Sequence, residues 1–322
     1  MRVATVLFVL VILSAPVWAQ GDYQKGVSFY KQGQYAKAAA EFEKIVEENP
    51  KYEDGFRILG DCYLKMKRYS EAATAFQKAI QLDSNKASSF LGLGLAYFNS
   101  NRDRDAIAAL VKAEKLVRSP RDQHLLYRTR GSAYFNLKQF DEAIADLSKA
   151  NSIQRASYQD VLQLGIAYYQ TGNMPEAEKH LRQALALNGN SAEAKKYLNQ
   201  LDYGAALAAI EAKNFPKAVS LLTGHLKDNP QDGDAWFNLG LARLFSNDTK
   251  GAEQAFLQAT RTAPNSWQAY DRLGYIYEKA KNYPKALEFY RKADSLSQSS
   301  QVKANVERVQ ERIKRQKQAA AS

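Results

Sequence analysis

The stretch Glu53–Lys86, EDGFRILGDCYLKMKRYSEAATAFQKAIQLDSNK, recurs in register along nearly the whole chain, and that repetition leaves few folds open. Within it Phe56, Leu59-Gly60 and Tyr63 share one helical spacing, and Ala72, Phe76 and Ala79 share a second. The glycine lets two helices approach closely, the tyrosine fills the gap beside it, and the small alanines let the second helix lie on the first. Each unit is therefore expected to be a helical hairpin. One hairpin cannot bury both of its apolar faces, so copies must stack for the chain to fold.

The alanine of the second helix returns as Ala38, Ala72, Ala106, Ala143, Ala177, Ala218, Ala252 and Ala286, at spacings of 34, 34, 37, 34, 41, 34 and 34 residues. The glycine keeps the same register as Gly26, Gly60, Gly94, Gly131, Gly165, Gly240 and Gly274, with Ala206 in its place once. Eight hairpins follow. The three extra residues fall at Ser119-Pro120-Arg121, where the proline predicts a lengthened turn. The seven extra precede the sixth copy, where good helix formers predict a long first helix over 192–213, capped by Ser191 and open to bending at Gly204. The expected organisation is a leader over 1–19, five repeats over 20–190, three over 191–298 and a basic capping helix and tail over 299–322.

This pattern resembles the tetratricopeptide repeat, W-x-x-L-G-x-x-Y…A-x-x-x-F…P, with Trp236, Leu239, Gly240, Ala252, Phe256 and Pro264 as the fullest copy. The resemblance covers about residues 20–298. It implies an all-α, right-handed superhelical solenoid whose concave surface, lined by first helices, usually holds a protein or peptide; it implies no reaction and names no partner. The resemblance places that groove at Tyr30, Phe98, Asn99, Phe135, Asn136, Tyr169, Gln170 and Phe245. In the middle copies an aromatic sits beside an amide, as Phe98-Asn99, Phe135-Asn136 and Tyr169-Gln170. Amides can bond an extended peptide backbone while the rings cover its side chains; the other reading is that the rings pack between helices. Family members that clamp a C-terminal carboxylate are matched here only at Asn238 and Arg272.

At the N-terminus Arg2, the apolar run Val3–Leu13 and Ala19 predict a leader cleaved after Ala19, with an uncleaved anchor as the other reading, hence an exported, periplasmic or secreted protein. Lys and Arg outnumber Asp and Glu by 45 to 34, a formal net charge of +11, which suits anionic partners in general without singling out nucleic acid. The single cysteine, Cys62, forms no internal disulfide and falls at a register of small residues, so a packing role is expected. His225 stands where the other copies carry alanine or Ile45, and is expected to fill the space left where Ala209 replaces the tyrosine. No metal-ligand spacing, phosphate loop or nucleophile elbow occurs, so no cofactor, metal or catalytic residue is expected. Beyond Ser300, Val302, Val306, Val309 and Ile313 form one stripe that should cap the last repeat. The basic residues Arg308, Arg312, Lys314, Arg315 and Lys317 leave open a peripheral contact with an anionic membrane or cell-wall surface.

Overall fold

The computed structural model describes residues 17–297 and 299–321, and side chains from residue 22 to residue 319 apart from residue 298. Among the described residues there are helices and no strands. They run α1 (Val17–Lys31), α2 (Tyr35–Glu48), α3 (Glu53–Lys65), α4 (Tyr69–Leu82), α5 (Ala87–Asn99) and α6 (Asp103–Glu114). There follow α7 (Pro120–Asn136), α8 (Phe140–Ile153), α9 (Tyr158–Gln170), α10 (Met174–Leu187), α11 (Ala192–Glu211) and α12 (Phe215–Asp228). The last five are α13 (Gly233–Phe245), α14 (Thr249–Thr262), α15 (Trp267–Lys279), α16 (Tyr283–Leu296) and α17 (Ser300–Ala321). Odd and even helices up to α16 pair as eight hairpins, and α17 follows them, an all-α solenoid. The leader expected over 1–19 falls largely outside the described residues; Val17, Trp18 and Ala19 belong to α1.

The glycine register is explained by what faces it. A Cβ built on Gly240 would lie 2.5 Å from Cε1 of Phe256, a fully buried ring four residues after Ala252. Phe42, Phe76, Leu110, Leu147, Leu181 and Tyr290 close over the other six glycines in the same way. The tyrosine three residues later does not fill that gap, contrary to the expectation from sequence. It reaches back to the preceding hairpin: the Tyr63 hydroxyl donates to Glu43 at 2.6 Å, and Gln77 Nε2 donates to the Tyr97 hydroxyl at 2.7 Å.

All eight hairpin turns are three residues long and have one construction. The middle residue has positive φ in each, as Gly33, Lys67, Asn101, Lys138, Gly172, Lys213, Asn247 and Lys281. Its N–H bonds the carbonyl three residues back, and the next N–H bonds the carbonyl five back, as in Lys138 N to Phe135 O (2.9 Å) and Gln139 N to Tyr134 O (2.9 Å). That pair of bonds satisfies the last carbonyls of the first helix.

Two expectations need correction. The turn before α7 is only one residue longer than the others between hairpins, 115–119 against four residues elsewhere; Pro120 instead opens α7 in the first turn, where its missing N–H costs nothing, and Ser119 Oγ accepts from Asp122 N at 3.1 Å. The extra residues mainly extend that helix. The long helix α11 runs unbroken through Gly204 but ends at Glu211, because Lys213 supplies the positive φ of the turn.

The contacts divide the chain into two compact units, residues 1–191 and 192–322. In the first, successive first helices touch, α3 on α5, α5 on α7 and α7 on α9, so they line its inner side. In the second, α11 touches α13 in the same manner. Here α17 lays Val306, Val309 and the partly buried Ile313 against Tyr277, Tyr283, Ala286 and Tyr290, closing the apolar face of the last hairpin, and Val302 on the same stripe is buried too.

Candidate functional site

The final turn of each first helix, just before the hairpin turn, is where the sequence places the groove. Five residues after the glycine register the side chains are Lys31, Lys65, Asn99, Asn136, Gln170, Glu211, Phe245 and Lys279. Seven of these are polar. Phe245 is the exception, and 59% of its surface is exposed.

In the first unit the ring residues of this region are half-buried. Tyr30 meets Tyr35 edge-on with centroids 5.4 Å apart, and Phe135 meets Phe140 at 5.8 Å, so each braces the start of its own second helix. Phe98 lies against the core around Leu93 and Tyr97, and Tyr169 is half-buried on α9. The amides beside them are exposed. Asn99 Nδ2 donates to the Leu95 carbonyl at 2.8 Å, Asn136 Nδ2 donates to Asp103 at 3.2 Å, and Gln170 lies at the surface. Phe245, in the second unit, stacks on Phe215 with centroids 5.1 Å apart.

Each unit also carries a cavity on its first helices. The larger, about 470 Å³, is bounded by Tyr23, Tyr30, Asp54, Arg57, Ile58 and Asp61. Arg57 is held by Asp54 at 2.8 Å and lies 3.6 Å from Asp61. Burial raises the Asp61 carboxyl to about 6 against the opposing pull of Arg57 and Lys65, and burial raises the Tyr30 hydroxyl to about 12. Of this group the sequence pointed only to Tyr30. A readable signal was present at Asp61, whose register carries Val27, Leu95, Ile166, Leu207 and Leu241 in other copies. The second cavity, about 310 Å³, lies between α13 and α15 and includes Phe245, Arg272, Tyr275 and Lys279.

Other candidates resolve into structure. Cys62 is fully buried, and burial raises its thiol to about 12, far from a reactive thiolate. His225 is a packing residue: 7% exposed, it tilts against Tyr203 with centroids 5.1 Å apart. Its Nε2 lies 2.8 Å from Asp232 and its Nδ1 lies 3.2 Å from the Asn199 carbonyl. Asp232 in turn accepts from Ala235 N at 2.9 Å, so the histidine ties α11 and α12 to the cap of α13. Asn238 Nδ2 donates to the Tyr203 hydroxyl at 2.9 Å. On α17, Arg308 and Arg312 turn inward to Glu278 at 2.8 and 3.5 Å, leaving Lys314, Arg315 and Lys317 exposed. No group of three or more metal-ligating side chains occurs among the described residues, and none of their helices is long and apolar enough to cross a membrane.

Two family models agree with the repeat architecture. A family model described as tetratricopeptide repeat matches residues 23–87, 203–244 and 240–300, and a second model of that description matches 134–201. A stretch of 88 residues is 30% identical to anaphase-promoting complex subunit 3 of Schizosaccharomyces pombe. It covers 27% of this chain and 13% of that protein. Among solved structures, MamA shares 25% identity and a TM-score of 0.46 over 52% of this chain and 96% of its own. YrrB, titled a TPR protein with an unusual peptide-binding site, shares 17% identity and a TM-score of 0.41 over 71% and 95%.

Proposed function

The chain belongs to the tetratricopeptide repeat family, and from that premise we propose that it is an exported, non-enzymatic scaffold holding a protein or extended peptide on its first helices during envelope assembly or secretion. Tetratricopeptide repeat proteins commonly serve as protein-binding scaffolds. One observation carries the reading here: rings recur at the surface end of first helices, half-exposed at Tyr30, Phe98, Phe135 and Tyr169 and most exposed at Phe245. In the first unit that end belongs to helices on the inner side, where a partner would meet several repeats at once. Exposed amides at Asn99, Asn136 and Gln170 flank three of the rings.

Export rests on the leader pattern of Arg2, Val3–Leu13 and Ala19. Protein from the native host should begin at Gln20 by mass spectrometry, and full-length protein held in the cytosol would contradict it. The binding reading is tested with photo-crosslinking side chains placed at Asn136 and Gln170 on first helices and at Lys78, exposed on second helix α4. Discrete adducts in the envelope should form from the first-helix sites. Adducts from Lys78 alone, or equally from all three, would overturn it.

A further inference from the structure

We infer that the cavity between α13 and α15 recognises an acidic peptide segment anchored by one apolar side chain, an inference that rests on the scaffold reading and supplies its ligand chemistry. Three observations converge there. The first is Phe245: seven sister copies place a polar residue at this register, yet here a phenylalanine stands 59% exposed on the Phe215 ring. A ring buried for packing would not sit in solvent. Tyr275, 37% exposed, faces the same cavity, so two of the larger exposed apolar side chains of the second unit meet at one place.

The second is charge. The cavity is lined by two cations, Arg272 and Lys279, and by no carboxylate. Neither cation forms an ion pair among the described residues; Lys279 rests 5.4 Å from the Tyr275 ring centre. The nearby acids are engaged elsewhere. Glu278 is held by Arg308 and Arg312, and Asp248 caps α14 through Gly251 N at 2.9 Å. At the Arg272 register the other copies carry Gln24, Ile58, Gly92, Thr129, Gln163, Gly204 and Asn238, so the cation is particular to this hairpin.

The third is size. About 310 Å³, floored by Leu241 and Leu244, accommodates a leucine- to phenylalanine-sized side chain with the backbone on either side of it. Flanking carboxylates would then lie toward Arg272 and Lys279, a guanidinium and an ammonium placed at the rim of an apolar floor.

The test uses the chain from Gln20 and a capped, fluorescent five-residue peptide with a central leucine flanked by aspartates. Comparison peptides replace the leucine by serine or the aspartates by lysine. Phe245, Arg272 and Lys279 are exposed, so Phe245→Ala and Arg272→Gln should keep the wild-type urea midpoint. The leucine-aspartate peptide should bind the wild type, lose about tenfold in affinity in each variant, and weaken as salt rises. Preference for the lysine peptide, equal affinity in wild type and both variants, or no binding would overturn the inference. Should first-helix crosslinks persist in any of these cases, the scaffold reading stands and only the ligand chemistry fails; loss of the crosslinks as well removes both.

Discussion

Arg130 stands where five sister copies carry buried leucines, Leu59, Leu93, Leu164, Leu239 and Leu273, and Asp146 where three carry Ala75, Ala109 and Ala255. The pair meets in the core at 2.6 Å, with Glu114 2.7 Å from the other side of the guanidinium. Lys25 and Glu41 make the same exchange in the first copy, at 2.8 Å. An ion pair thus replaces a leucine on alanine at two places in one architecture. Arg130→Leu alone leaves Asp146 buried without its partner and should cost about 3–5 kcal/mol. Adding Asp146→Ala recreates the sister arrangement and should recover most of the loss in urea unfolding; a double variant as unstable as the single one would show that the local backbone had adapted to the ions. Asp61 gives a residue-scale prediction of opposite sign. Its folded value, near 6, lies above that of an unfolded carboxyl, so the native state binds more protons between the two values and stability falls as pH rises through that window. Asp61→Asn lacks this penalty. It should therefore unfold later than the wild type at about pH 7.5, with the difference vanishing near pH 4.

At the scale of the element, the hairpin turn and the terminal helix carry the testable content. Every turn needs a left-handed residue, and four copies fill that place with lysine rather than glycine or asparagine. Lys138, at φ 60°, bears the steric cost of its Cβ there. Lys138→Gly removes that cost at some expense in unfolded-chain entropy, and should raise stability by about 0.5–1 kcal/mol in urea unfolding. A loss would mean the lysine stem makes compensating contacts. For α17, the hydrogen bond from Arg308 holds the Glu278 carboxyl below its ordinary range, aided by Tyr290 and Arg312 and opposed by burial. A depressed folded value means that this contribution is complete above the unfolded carboxyl's titration near pH 4.3 and is lost as pH falls through the folded value. Amide exchange in Val306–Ile313 should accordingly rise in acid before exchange in α13 and α14 does, and Glu278→Gln should show raised exchange already at neutral pH. Unchanged protection in both would show that the valine stripe docks α17 unaided.

For the whole molecule, stacked hairpins rely mainly on their neighbours, so stability should be distributed by unit. The two compact units, 1–191 and 192–322, predict that fragments 20–191 and 192–322 each remain helical and unfold cooperatively when made separately. Circular dichroism with urea titration checks this; a fragment that stays unfolded would mean its core is completed by the other.

Helical class, hairpin number and family follow from the period itself, because a 34-residue spacing of glycine, aromatic and alanine has few ways to bury its faces. The valine stripe of α17 was equally legible, since helical spacing places Val302, Val306 and Val309 together without reference to anything distant. What lies across helices was not. The sequence assigned the tyrosine to the gap beside the glycine, but that space belongs to the residue sixteen positions later, such as Phe256 over Gly240. His225 likewise bonds Asp232 and the Asn199 carbonyl, 26 residues away, partners that its register did not name. Of the groove, Phe245 and Tyr30 could be marked by register, and Arg57 with Asp61 and Arg272 with Tyr275 already share one helix face, whereas the cavities that set Tyr23 beside Asp61 and Phe245 beside Arg272 exist only where helices meet. Periodicity is a property of one helix and survives in one dimension; shared cavities and buried charge pairs arise between helices, and only their packing decides which residues share them.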